Sequence, residues 1–249
     1  MLAPNFVLSP CTPEDVPGMV EIYLSAFKDD YFSQYCLPRD AIPAEEWDSW
    51  LNARFLRLFN SPEIRCFKVT DSNNNNRPAA FARWQFPYVF SEEEKKVKAE
   101  EKKEAERKKR DEGVDPKWPR GANLEVCDLK FGPLDRCRES SINEEETYGE
   151  LSLLNYHLSL AKLCLVCHLL AVHQDYWRQG LGGMLLKHVL ALADAEGRRT
   201  WIEATPSGRP LYAKLGFKEV NLVSVDLTKW GGKEPGKNWG MLREVPQNA

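Results

Sequence analysis

The chain has 249 residues, 43% of them hydrophobic and 29% charged, with a formal net charge of −3. That is enough apolar material for one sizeable core, and the near-balanced charge gives no global basic field of the kind that marks a nucleic-acid partner. Met1 to Thr12 carries no basic-then-apolar leader, no apolar run approaches the ~18–20 residues of a membrane span, and seven scattered cysteines suit reduced thiols. The expectation is a soluble protein of the cytoplasm, with the nucleus left open, no nucleic-acid partner and no membrane.

Thr12-Pro13-Glu14-Asp15 reads as a helix start, with a Thr cap, a first-turn proline and acids at the positive end of the dipole. Val16, Met19, Val20, Tyr23, Leu24 and Phe27 follow at helical spacing. A second helix starts near Pro43, carries Trp47, Trp50, Leu51, Phe55, Leu58 and Phe59, and is closed by Pro62. Arg65–Thr70 and Ala79–Phe86 read as a hairpin around an Asn-rich turn. Ser91–Arg110 is almost free of apolar residues. Its acid-first pairs Glu92–Lys96, Glu94–Lys98, Glu104–Lys108 and Glu106–Arg110 suit a solvated helix or a disordered insertion; a basic surface patch is the other reading.

In the second half Leu163–Val172 is a continuous apolar run that suits a buried strand. A polar loop, His173–Gly180, leads to an amphipathic helix from Leu181 that Gly197 can cap. Thr200–Ala204 is expected as a strand, Gly208–Leu215 as a short helix stopped by Gly216, and Phe217–Val220 and Leu222–Leu227 as two further strands.

Trp177-Arg178-Gln179-Gly180-Leu181-Gly182-Gly183 sits between the buried strand and the amphipathic helix. Glycines there let the backbone approach a ligand, and the free N–H groups of a first helical turn suit a phosphate or pyrophosphate. The run lacks the Gly-Lys-Ser/Thr ending of an NTPase loop, and Leu185 stands where a dinucleotide fingerprint needs its third glycine. Gly180-x-Gly182 after Arg178-Gln179 resembles the pyrophosphate loop of the GNAT superfamily of acetyltransferases, and Leu211-Tyr212-Ala213-Lys214-Leu215-Gly216-Phe217 resembles the L-Y-x-K-x-G-F signature that follows it there. The resemblance covers Leu163 to Leu227, and Glu203–Pro210 is most similar to uncharacterised members that abound in fungi. It departs from the pattern at Trp177, where Gln or Arg is usual, and at Thr205, where many members have Asn.

The resemblance implies a fold of α/β (α+β) class: a mixed, mostly antiparallel central sheet flanked by helices and splayed at its centre. It implies acetyl-CoA as co-substrate, no metal, and acetyl transfer by direct attack of an amine within a ternary complex. Leu170, Ala171 and Val172 would hold the pantetheine arm and polarise the acetyl carbonyl through backbone groups. Trp177, Arg178, Gln179, Gly180, Leu181, Gly182 and Gly183 would hold the pyrophosphate. Tyr212 matches the tyrosine that protonates the departing thiolate, and a phenol near pKa 10 is a plausible donor. His168, four residues before Val172, takes the place of a histidine that deprotonates the amine in arylalkylamine N-acetyltransferases. Glu203, Glu150 and a water relay are the alternatives.

Tyr148–Leu154 also resembles the start of the family's central strand, which would make Asn155–Leu170 an added segment and leave His168 without a counterpart. Cys164-Leu165-Val166-Cys167-His168 has the spacing of a haem-attachment or metal motif, but its apolar setting suits buried cysteines acting as small hydrophobes. The whole chain, 1–249, is expected to form one N-acetyltransferase domain with a charged insertion at about 91–120. The acceptor would be the primary amine of a small molecule or peptide. A longer-chain acyl-CoA transferase and a non-catalytic CoA-binding module are the competing readings.

Overall fold

The computed structural model describes residues 5–112, 115, 117–143 and 164–245. Strand β1 (Phe6–Pro10) opens the chain, followed by α1 (Val16–Ala26), α2 (Tyr31–Cys36) and α3 (Ala44–Leu56). The hairpin β2 (Ile64–Asp71) and β3 (Arg77–Gln85) leads to α4 (Glu92–Glu112) and α5 (Leu124–Asn143). After them come β4 (Cys164–Val172), α6 (Leu181–Ala195), β5 (Arg199–Ala204), α7 (Arg209–Lys214), β6 (Lys218–Val225) and β7 (Gly236–Arg243). The strands form one seven-stranded sheet in the order β1-β2-β3-β4-β5-β7-β6, in which β4 and β5 are parallel and every other pair is antiparallel. This is the mixed, mostly antiparallel sheet flanked by helices that the sequence predicts.

Apolar residues cover both faces of the sheet. On one face α1, α3 and α5 pack Met19, Ile22, Leu51, Phe55 and Leu134 against Phe81 and Ala171. On the other, α6 and α7 pack Leu185, Leu186, Val189 and Tyr212 against Ala80, Ala82, Trp84 and Ile202. The alternation along β3 sends Phe81 one way and Ala80, Ala82 and Trp84 the other, as the period of two requires. Ala80 and Ala82, both fully buried, add little bulk beneath α6.

The predicted start of the first helix is a capping turn: the Thr12 N–H donates to Asp15 Oδ2 at 2.7 Å, and Pro13–Asp15 is 3-10 before α1 begins. The charged segment is a solvated helix. Of its predicted i,i+4 pairs, Glu104–Lys108 is in contact at 3.7 Å, alongside the i,i+3 pairs Glu92–Lys95, Glu100–Lys103 and Glu104–Arg107 at 2.6, 2.9 and 2.7 Å. Lys98 instead reaches back to Glu63 at 2.7 Å and ties the helix to the body.

Three features depart from the sequence reading. Phe217–Val220 and Leu222–Leu227 are not two strands but the single strand β6, whose register slips between Glu219 and Asn221. That irregularity, next to a polar Asn, imitates a break. Strand β7 carries no periodic apolar signal and has glycines at both 236 and 240; a Cβ at Gly240 would lie 2.7 Å from the Trp201 ring, so close packing takes precedence over strand propensity there. Helix α5 has Gly132 and Pro133 in its interior, residues that ordinarily argue against a helix, and is held by burial of Val126, Cys127 and Leu134. The expectations placed on Tyr148–Leu154, on Glu150 and on residues 155–163 fall outside the described residues.

Candidate active site

Strands β4 and β5 pair only from Cys164–Arg199 to Cys167–Ile202 and then part. On its other edge β4 stays joined to β3, but the register slips: Arg83 faces Leu169 while Trp84 faces Cys167, leaving His168 as an extra, unpaired residue. This is a β-bulge, which bends and twists the strand that carries it. Packing shows the same slip, since Cys167 and Leu170, three residues apart, both face α6, while Leu169 and Ala171 face the α1/α3 side. The sheet therefore opens into a gap directly beyond the bulge.

The gap side of β4 offers unpaired backbone. The His173 N–H donates to Ala79 O at 2.9 Å, so by antiparallel alternation His173 and Ala171 turn their polar groups to β3. Leu170 and Val172 turn theirs toward the gap. Of the three strand residues expected at the cofactor, Leu170 and Val172 are thus placed to offer N–H groups, and Ala171 lies between them, directed at Phe81.

The glycine loop follows without a break. Arg178 and Gly180 both have left-handed backbone, at φ +64° and +84°. For Gly180 this is costless; for Arg178 it is a strained conformation of the kind retained at ligand sites. Among the described residues no acceptor takes the N–H of any residue from Arg178 through Gly183, so six successive donors at the N-terminus of a 15-residue helix remain available. Such a run, at the positive end of the helix dipole, is an anion cradle. Gly182 makes it compact: a Cβ there would meet Leu211 Cδ2 at 3.2 Å, Leu170 Cδ2 at 3.4 Å and Val172 Cγ2 at 3.8 Å. Gly183 meets only Leu211 Cδ1, at 3.9 Å, and Leu181 is buried beneath the turn.

Side chains of the loop mostly serve the loop itself. The Trp177 indole N–H donates to Val172 O at 2.8 Å and ties the loop to the end of β4, while its ring stays 47% exposed. Gln179 Nε2 donates to Asp175 O at 3.2 Å. Beneath, Arg77 holds Asp175 at 3.0 Å and Glu21 at 2.6 Å, and the His173 ring accepts from the Asp175 N–H. Arg178 is exposed and free to meet an anion.

Tyr212 and His168 lie on opposite faces of the opening. Tyr212 is 6% exposed and packs with Cys167 and Phe217 on the α6 side. Gly208 makes room for it, since a Cβ at that position would sit 2.9 Å from the phenol oxygen. Burial, aided by the neighbouring Cys167, holds the phenol above its ordinary pKa and so protonated. His168 is half-buried on the other face, with Nε2 2.7 Å from Gln85 Oε1, which puts the proton on Nε2 and the lone pair on Nδ1. Burial first, then the charges of Arg83, Arg138 and Arg54, push its pKa well below 6.5, so the ring is neutral. Glu203, the alternative base, is bound by Arg138 Nη1 at 2.5 Å, and burial raises its pKa. Sequence reasoning missed Gln85, Arg83, Arg54 and Arg138, which come from three separate elements and carry no motif.

Cys164, Cys167 and His168 do not converge: Cys167 faces α6 and is fully enclosed, and His168 faces the other side. Among the described residues no cluster of three or more His, Cys, Asp or Glu side chains is arranged to hold a metal. No helix there is long and apolar enough to cross a membrane.

Residues 142–219 match the model of the acetyltransferase (GNAT) domain. No curated protein matches the sequence. Among solved structures the chain is similar to one from Corynebacterium glutamicum described as histone acetyltransferase HPA2 and related acetyltransferase, at 15% identity, 98% coverage of both chains and a TM-score of 0.53. It is also similar to a candidate acetyltransferase from Acinetobacter baylyi, at 12% identity, 98% coverage of both chains and a TM-score of 0.51. At such identities the likeness is one of fold, and the fold is that of GNAT acetyltransferases.

Proposed function

We propose that this chain, which carries a GNAT acetyltransferase domain over residues 142–219, is an N-acetyltransferase that uses acetyl-CoA to acetylate a primary amine of a small molecule or peptide. The observation that carries the reading is the continuity of two features. Six N–H groups, Arg178 to Gly183, that have no acceptor among the described residues adjoin a gap in the sheet faced by the backbone of Leu170 and the N–H of Val172, whose carbonyl is taken by the Trp177 indole. The first suits a pyrophosphate and the second an extended amide-bearing arm that docks as an added strand.

Acetyl-CoA supplies an activated thioester, and the chain supplies position and protons. The loop N–H groups and Arg178 hold the pyrophosphate. The N–H groups of Leu170 and Val172 face the gap, where one can polarise a carbonyl in a site shielded from water. Tyr212, protonated because buried, gives its phenolic proton to the departing sulfur. On the opposite face His168 presents the Nδ1 lone pair to the incoming amine. Its depressed pKa keeps it in the neutral form that can accept a proton, and a water shared with Glu203 can complete the transfer. Attack is direct, with no acyl-enzyme. The whole chain acts as one such domain, with α4 as a solvated insertion.

Calorimetric titration with acetyl-CoA tests the reading, repeated on Gly180→Glu and Gly182→Glu and joined to an amine panel read by release of free thiol. Micromolar-range binding, lost in both variants, with thiol release dependent on an amine is the expected result. A folded wild type that does not bind acetyl-CoA would overturn it.

A further inference from the structure

Three guanidinium groups converge on the α3/α5 face of the sheet beside the bulge. Arg83 stands on β3 opposite Leu169, Arg54 comes from α3 and Arg138 from α5, and the charges of all three bear on His168. Of the three, only Arg138 has carboxylate partners among the described residues, Glu203 at 2.5 Å and Asp135 at 2.6 Å. Arg83 Nε is enclosed and has no hydrogen-bond partner among the described residues. Neither Arg83 nor Arg54 forms an ion pair among the described residues, and Arg54 rests over the Trp50 ring at 5.1 Å.

This arrangement is unfavourable as it stands. Burial is the main cause that lowers the pKa of both, that of Arg83 to about 10, and the Arg54 charge adds to it. Two like charges partly withdrawn from water, without a counter-ion among the described residues and one of them with an unsatisfied buried N–H, cost stability that packing elsewhere must offset. Such a violation of local consistency is expected where a ligand completes the site. The planar fork of a guanidinium fits a carboxylate with two parallel hydrogen bonds.

We propose that Arg83 and Arg54 receive a carboxylate of the acceptor, so that the acceptor is an amine bearing a carboxylate rather than a polyamine or a neutral arylalkylamine. This rests on the N-acetyltransferase reading and narrows its substrate class. Glu203 is paired with Arg138 and, although its charge bears on Arg83, it forms no ion pair with Arg83 or Arg54. The acceptor's amine then lies toward His168 and the gap, with its carboxylate beside Arg83. The carboxylate belongs either to a free amino acid or to an acidic residue near the start of a peptide.

Matched acceptor pairs test this with the full chain. One arm compares free amino acids with their carboxamides. The other compares peptide amides having Asp or Glu at the second position with the same peptides having Asn or Gln. In one arm the acid should exceed its amide in kcat/KM by at least about tenfold, the worth of one charge-assisted hydrogen bond. In Arg83→Gln and Arg54→Gln that ratio should fall toward one, chiefly through KM, with acetyl-CoA affinity kept. Equal use of acid and amide by the wild type in both arms overturns the inference without recourse to any variant. Failure to bind acetyl-CoA, or to release thiol with any amine, overturns instead the activity on which it rests.

Discussion

Gly208→Ala offers a way to move the Tyr212 phenol without removing it. Gly208 caps α7 with ordinary right-handed backbone, φ −80° and ψ −33°, so alanine meets no conformational penalty there. Its Cβ, however, would lie 2.9 Å from the Tyr212 phenol oxygen and 3.0 Å from both Cζ and Cε2. At that distance the ring must shift, and it does so against the packing of Cys167, Phe217 and their neighbours. Overpacking of this size costs about 1–3 kcal/mol, and the loss of a glycine from the unfolded chain returns about 0.4–1 kcal/mol. Thermal unfolding should therefore show a modest net loss. Turnover should fall much further, since a general acid contributes roughly 10²–10⁴-fold and depends on its placement. Tyr212→Phe, which keeps the ring and deletes the hydroxyl, should lower kcat by a comparable factor while sparing acetyl-CoA affinity. The two changes act on one atom, so the double variant should be no slower than Tyr212→Phe alone. Turnover of Tyr212→Phe equal to wild type would remove the phenol from the reaction. Additive losses in the double variant would show that Gly208 acts by another route.

Three further outcomes follow from neighbouring geometry. Gly182→Val should weaken acetyl-CoA binding in calorimetry by tenfold or more and lower the melting temperature, because its side chain would press on Leu211, Leu170 and Val172, whereas Gly183→Ala, whose Cβ would make only an ordinary contact with Leu211 at 3.9 Å, should leave both unchanged or gain up to ~1 kcal/mol of stability; equal behaviour of the two would refute the close-approach account of Gly182. His168 is held neutral in the folded chain, so the unfolded chain takes up the proton as pH falls through about 6.5, and stability present above that pH is lost below it at up to about 1.4 kcal/mol per pH unit. Urea unfolding at pH 7.5 and 5.5 should show a steeper acid loss in wild type than in His168→Asn, and identical losses would mean that the folded ring accepts a proton. Trp177→Phe deletes the 2.8 Å donor to Val172 O and should cost about 0.5–1 kcal/mol with a weaker hold on acetyl-CoA and unchanged kcat; unaltered affinity would assign the indole no part in setting the loop.

What could be read in advance was what is encoded locally. Gly180, Gly197 and Gly216 mark their turns because each adopts left-handed backbone, at φ +84°, +62° and +90°. The α6 helix shows its 3.6-residue period because one face is wholly buried. The cluster of Arg54, Arg83 and Arg138 had no such signature. Each residue sits among ordinary neighbours on its own element, and only the folding of α3 and α5 onto one face of the sheet joins them. Strand β7 stayed hidden for a related reason: its glycines answer to the Trp201 and Phe32 rings on other elements, not to any pattern of their own. Trp177, read as a departure from a phosphate-binding side chain, turns its donor inward to β4, which no spacing argument could foresee.

The bulge at His168 was equally invisible, because it falls in an apolar run with no alternation to interrupt. Yet one added residue accounts for several properties of the site together. Pairing of β4 with β5 ends at Cys167, immediately before it. Beyond it the strand changes phase, so that Leu169 and Ala171 face α1 and α3 while Leu170 and Val172 face α6. That phase lets the backbone of Leu170 and Val172 open on the gap and also places their side chains within 3.8 Å of where a Gly182 Cβ would lie. Removing a residue at this point would reverse both at once, turning Leu170 and Val172 to β3 and bringing Ala171 to the gap, since a shift of one position exchanges the faces of a strand. The glycine loop and the opening are therefore set by a single local irregularity. His168 occupies that irregularity, and the arginines of the further site stand on the face to which it points.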